Sequence, residues 1–236
     1  MASFTLLMLG LMMSFSGIIL FLDVRKKKHE LDYMNRYMST DIRSLSHGVI
    51  AEIKGITEPQ STILKTPKTN TECVYYRYLE QELVRVSDKH GTRSEWKTII
   101  DSTNTLPFYI SDRTGKIILD LSSYRNTDIP KIYEGEEDDT KSGIKLGPIK
   151  IGGDSRRFKF TEWALKVGIP LYVFGKVIED EQGNLHMVKP DDGRPFIVSY
   201  KTEEELKRER TTPVREWISA GLIIIGFLVI FIGFFI

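Results

Sequence analysis

Cysteine is nearly absent from this 236-residue chain. Cys73 stands alone, which excludes an intrachain disulfide, and the four histidines (His29, His47, His90, His186) are too scattered to spell a zinc-binding run. The chain also lacks a glycine-rich phosphate loop, a zinc-protease helix and a Gly-x-Ser-x-Gly elbow, so the commonest catalytic signatures are missing. An excess of one charge is missing too. With 33 Lys and Arg against 32 Asp and Glu, and no basic patch interleaved with aromatics, nucleic acid is not an expected partner.

Two stretches lack charge altogether. Ala2 to Leu22, "ASFTLLMLGLMMSFSGIILFL", and Ile218 to Ile236, "ISAGLIIIGFLVIFIGFFI", are each of roughly the length that crosses ~30 Å of hydrocarbon. The first has no basic start and passes directly into "DVRKKK", so a retained anchor is expected and not a cleaved signal peptide. Arg25, Lys26, Lys27, Lys28 and Arg36 follow the first run; Lys201, Lys207, Arg208, Arg210 and Arg215 precede the second. The outer flanks carry no Lys or Arg, which places the central region in the cytoplasm and both termini outside a cell membrane crossed twice. The bilayer is thus one expected partner, and Trp217 sits where an interfacial anchor belongs.

Small residues recur at seven-residue intervals in both runs: Ser3, Gly10 and Gly17, then Ser219, Gly226 and Gly233. Each set forms a stripe on one helix face, along which backbones can approach closely. The stripes either join the two runs as an antiparallel hairpin or pair between copies of the chain.

Residues 23–47 read as a stalk. Leu31, Met34, Met38, Ile42 and Leu45 suit an amphipathic helix stopped at Gly48, while Ser39-Thr40-Asp41 offers an earlier break, and an extended connector remains open. From residue 48 the pattern becomes strand-like in "VIAEIKGI", "ECVYYRYLEQELVRV", "EWKTII", "LPFYISD", "KIILDL", "PLYVFGKVIED", "LHMVK" and "PFIVSYK". Asp112 to Gly115 forms a hairpin turn, and "FTEWALKVG" reads as a short helix stopped by Gly168. The expected fold is therefore a mainly β (α+β) domain over 48–206 between two transmembrane helices, 2–22 and 218–236, with a basic juxtamembrane linker at 207–217. A faint echo of glycine after strand (Gly55, Gly175) and Pro-x5-strand (Pro67, Pro190) suggests two related β subdomains, 48–140 and 145–206. The acidic stretch around Glu134, Glu136, Glu137, Asp138 and Asp139 lacks calcium-loop spacing and reads as a solvated connector.

For chemistry the candidates are few. Cys73 sits among Val74, Tyr75 and Tyr76 in an apolar strand, where a thiol is usually inert, though His90 is a conceivable base for it. Glu162 and Asp112 are carboxylates near strand ends with nothing to pair them as acid and base. No catalytic residue, metal or cofactor is assigned.

"STDIRSLSHGVIAEIKGITEP" and "LKTPKTNTECVYYRYLEQE", then "LPFYISDRTGKIILD", "TEWALKVGIPLYVFGKV" and "DGRPFIVSYKTEEEL", resemble in order the GIDE, or beside-a-membrane, domain over about residues 39 to 206. Gly48, Gly55, Pro67, Cys73, Val74, Tyr75, Tyr76 and Arg77 carry the opening of that likeness. Pro107, Phe108, Asp112, Gly115, Glu162, Gly168, Gly175, Pro195 and Phe196 carry the rest, all read as structural. The best-known members of the family are mitochondrial outer-membrane E3 ubiquitin ligases with a zinc-binding RING after the second span. A RING needs two zinc sites of four Cys or His ligands each; one cysteine and four histidines cannot supply them, so the chain resembles the RING-less, prokaryotic-type members. Three functions follow. The first is a non-catalytic module offering a β surface to a membrane-proximal protein or peptide. The second is a ligase-like protein using a RING supplied in trans, and the third a membrane enzyme using Cys73.

Overall fold

The first apolar run does not stop as a helix where its uncharged residues stop. In a computed structural model, which describes residues 2–89, 91–122, 128–140, 144–146, 149–151, 155–211 and 213–235, helix α1 continues over Ala2–Arg36. The helix ends not at Gly48 but at Arg36, just before the polar stretch Ser39–Asp41. There Ser39 bridges to Glu52, and the Thr40 N–H donates to the Glu52 carbonyl at 2.8 Å. A 3-10 turn at Ile42–Ser44 then leads into the sheets.

The strands are β1 (Ile50–Pro59), β2 (Leu64–Lys65), β3 (Glu72–Asp88), β4 (Gly91–Thr105), β5 (Phe108–Ser111), β6 (Lys116–Leu119) and β7 (Lys131–Thr140). A small hairpin of β8 (Ile144–Leu146) and β9 (Ile149–Ile151) follows, then β10 (Ser155–Lys166), β11 (Pro170–Glu179), β12 (Leu185–Val188) and β13 (Ile197–Ser199). Strands β1, β5, β6, β12 and β11 pair in that order, and β11 returns to β1 to close a ring. All of these pairs are antiparallel except β6 with β12. Counting only ring strands, the order is 1-2-3-5-4-1 with one parallel pair, the topology of an OB barrel. Its interior holds Ile53, Phe108, Ile110, Leu119, Val173, Val177 and Met187, among others. Each such side chain contributes about 1.5–3 kcal/mol by leaving water.

A second sheet, β4-β3-β10-β7, grows out of the barrel as a wing, with β2 pairing the start of β3. Both sheets take strands from either side of residue 145, so neither is confined to 48–140 or to 145–206. The stretch read as a short helix at "FTEWALKVG" is instead the end of β10. Its consecutive residues Phe160 to Glu162, then Ala164 and Leu165, are buried, so no two-residue period shows, and pairing with β3 and β7 along its two edges overrides the helix preference of Glu, Ala, Leu and Lys. The acidic connector is likewise a strand, β7, because β10 answers it with bases. Lys159 meets Glu134 at 2.6 Å and Arg157 meets Asp138 at 3.0 Å. Lys131 and Lys159 together draw the Glu134 carboxyl down to about 2.

The stretch at 207–217 is largely helical too. Lys207 to Arg210 complete α2 (Glu203–Arg210), and Pro213, favoured at a first helical position, opens α3 (Pro213–Phe235). Helix α2 starts on a capping box in which Thr202 and Glu205 each satisfy the other's backbone N–H. Its Leu206 is buried with Met34 of α1 and with Tyr172, Phe174 and Ile197 of the barrel. Arg210 reaches Glu30 of α1 at 2.8 Å, a pair with only 9% and 16% of its side chains exposed. These contacts fasten the barrel and α2 to α1; α1 and α3 are both long and apolar enough to cross a membrane.

Candidate functional site

The motif residues build the scaffold. Gly48 has φ +85° and its N–H donates to the Val177 carbonyl; Gly168, φ +78°, ends β10 with its N–H on the Thr57 carbonyl. Gly55 and Gly175 lie inside β1 and β11, not after them. Val74, Tyr75, Phe108 and Phe196 are core, Tyr76 is half-buried beside Asn104, and Pro107 is exposed between β4 and β5. Asp112 holds the β5–β6 turn, accepting from the Thr114 and Gly115 N–H groups and from that of Ile42. Burial opposes its charge, but those bonds outweigh it and keep the carboxyl below its usual range.

Cys73 is fully buried, and its thiol faces the Leu64 carbonyl at 3.7 Å. Burial first, then the charge of Glu162, pushes it up to about 11, the reverse of what a nucleophile needs. His90 lies outside the described residues. Glu162, also fully buried, receives the N–H groups of Lys68 (2.5 Å) and Thr69 (3.1 Å) and the Thr69 hydroxyl (2.7 Å). It therefore clasps the turn that Pro67 begins. Glu162 and Asp112 are separately engaged, and neither is placed as one half of an acid–base pair.

The sequence reading missed Glu52. It is fully buried on β1; one oxygen accepts from the Tyr172 hydroxyl at 2.8 Å and the other has no partner among the described residues. Burial raises its carboxyl above the ordinary value, and Tyr172, buried against it, is raised as well. The folded state thus favours protonated Glu52. Stability is fully present below the unfolded value of 4.5 and is lost as pH rises through the higher folded value, at up to about 1.4 kcal/mol per pH unit. Glu52→Gln is expected to flatten that fall in denaturant unfolding of the detergent-solubilised chain; an unchanged profile would show Glu52 ionised throughout.

The small-residue stripes face each other within one chain. A Cβ on Gly10 would lie 2.8 Å from the Gly226 carbonyl oxygen, and one on Gly17 would lie 3.0 Å from the Ile223 nitrogen. Gly233 approaches Leu7, and buried Ser219 donates to the Glu216 carbonyl. Ser14, which the seven-residue interval passes over, is buried against Gly226. Ser3 lies in the first turn of α1, its side chain outside the described residues.

The surface least absorbed by the fold is the wing. Every residue of β4 is exposed except Trp96 and Thr105, which are half-buried, and no described strand pairs with its outer edge. Arg77 forks onto Asp101 through two 2.8 Å bonds and lies over Trp163, bracing β4 to β3 and β10. A register shift against β3 leaves Ile99 as an extra residue, 48% exposed beside Ile100 at 40%. On the other face Tyr78, Phe160 and Phe158 stack, with the Lys68 ammonium 4.0 Å from the Phe160 ring centre. Among the described residues no three His, Cys, Asp or Glu side chains come together as metal ligands.

The molecule is thus a closed barrel that carries an open sheet wing and packs against an apolar helical hairpin. The GIDE family model, described as E3 Ubiquitin ligase, matches residues 78–231. The chain belongs to the GIDE family. E3 ubiquitin-protein ligase SPL1 of Arabidopsis thaliana is 24% identical over 221 residues, 84% of this chain and 65% of the relative. The chain thus spans somewhat less than two thirds of that relative's length.

Proposed function

We propose that this protein is a two-span membrane module without catalysis of its own. Its β domain faces the cytoplasm and presents the wing to a membrane-proximal protein. The observation that carries this reading is the free β4 edge, fifteen residues long and exposed on both faces. An extended peptide adds to such an edge through backbone hydrogen bonds, while pockets along the strand select its side chains. The extra residue at Ile99 and the charge of Lys97 discourage indiscriminate edge pairing, which favours a selected partner over aggregation. The basic flanks support the orientation, and two anchors would raise the effective concentration of partners in the same membrane.

A second reading, ligase-like action with a RING supplied by another chain, is favoured by the family's description and by the relative's name. One experiment addresses both. A photo-crosslinking residue at Thr98 of β4, compared with one at exposed Glu181 on the barrel, is expected to give protein adducts in native membranes only at Thr98. Those adducts are expected to vanish when proline replaces β4 residues whose N–H groups point outward. Adducts at both positions, or at neither, would sink the edge-binding reading; a RING protein or a ubiquitin-conjugating enzyme in the Thr98 adduct would favour the second.

A further inference from the structure

At the junction of α1 with the barrel, basic and imidazole side chains far apart in sequence come together. Lys26 and His29 of α1, Lys189 after β12, and Arg194 in the turn before β13 line a cleft of about 250 Å³ with Gly193, Pro195 and Phe196. Glu30 is the one carboxylate on its wall, and Arg210 already binds it. Arg194 is set in place by Asp192 at 2.8 Å and by the Tyr37 hydroxyl at 3.3 Å; Gly193, φ +81°, permits the turn that aims it. The neighbouring Asp191 pairs with Lys176. Lys26 and Lys189 have no ion pair with any described residue, so the cleft keeps an unanswered charge of two lysines.

Its height is as telling as its charge. Lys26 lies four residues past Leu22, about 6 Å along a helix rising about 1.5 Å per residue. The headgroup layer of one leaflet is about 5–7.5 Å deep, taken from about 40–45 Å of bilayer against ~30 Å of hydrocarbon. The Arg215–Asp23 pair at 3.6 Å sets the start of α3 level with the first charge past the apolar run of α1. We propose that this cleft binds the phosphate of an anionic glycerophospholipid headgroup, which fixes the barrel's tilt over the bilayer. The proposal rests on the reading that α1 and α3 cross the membrane.

The full chain is reconstituted in nanodiscs of phosphatidylcholine with a minor share of phosphatidylglycerol, and native mass spectrometry counts the retained anionic lipids. Wild-type protein is expected to keep phosphatidylglycerol in preference. The Lys26→Glu/Lys189→Glu variant loses that preference about tenfold, and Lys189→Gln, a milder change at an exposed site, loses it in part. Arg25→Glu/Lys27→Glu, reversing neighbouring charges outside the cleft, keeps most of it. Equal losses in both double variants, no preference in the wild type, or complete displacement of the lipid by inorganic phosphate would each overturn the headgroup site. Extraction from phosphatidylcholine vesicles by alkaline carbonate separates the two levels. A chain that washes off loses the membrane reading and the cleft with it; a chain that stays but shows no preference loses only the cleft.

Discussion

Replacing Gly226 with leucine is expected to prise the two terminal helices apart. The first added carbon would lie 2.7 Å from the Ser14 backbone nitrogen and 2.8 Å from the Gly10 carbonyl oxygen, and neither can yield without moving α1. On the proposed reading that the hairpin lies in lipid, it has no hydrophobic drive to restore it, and close backbone packing is most of what holds it. The cost is about 2–3 kcal/mol of helix association. Spin labels on cysteines introduced at Met12 and Leu228, both exposed, would report a longer and broader distance distribution; buried Cys73 would not compete for label. Gly221→Leu is the control, since nothing lies within 4 Å of its added Cβ, and it is expected to leave the distances alone. If Gly226→Leu also left them alone, the seam would not hold the hairpin.

Gly55→Val is expected to prevent the barrel from closing. β1 changes partner around this residue: it pairs with β11 up to Ile56 and with β5 from Ile56 onward. At that corner a Cβ would stand 2.5 Å from Ile110 Cγ2 and 2.6 Å from the Ser111 carbonyl oxygen. Corner glycines of this kind let a strand bend across a barrel seam. The penalty is about 3 kcal/mol, enough to consume a large fraction of an ordinary domain's stability. It would be read as rapid proteolysis of the central region in detergent while both terminal helices stay protected. Wild-type protease resistance in Gly55→Val would refute the corner assignment.

Where one physical term dominated a segment, the sequence was readable. The two uncharged runs could only be long apolar helices, and the Asp112–Gly115 turn between alternating strands formed the β5–β6 hairpin it implied. Reading failed where two terms competed. At Glu162–Leu165 helix-favouring residues sit in a strand because β3 and β7 pair along the two edges of β10, and the acidic residues of β7 form a strand because Lys159 and Arg157 face them. Glu52 left no signal, since a glutamate in an alternating strand reads as solvent-facing until α2 is laid over it.

Taken alone, the sequence settled composition-borne properties: apolar ends, a β-rich centre, a thiol in an apolar strand, and a family likeness carried by ordered short motifs. Those are sums over neighbours along the chain. The tertiary structure decided ring closure of the barrel, the open edge of β4, the capture of Glu162 by the Pro67 turn, and the meeting of Lys26 with Lys189. Ring closure, the Glu162 clasp and the Lys26–Lys189 meeting each join residues tens to more than a hundred and fifty positions apart. Their energies depend on distance in space, which no local pattern encodes.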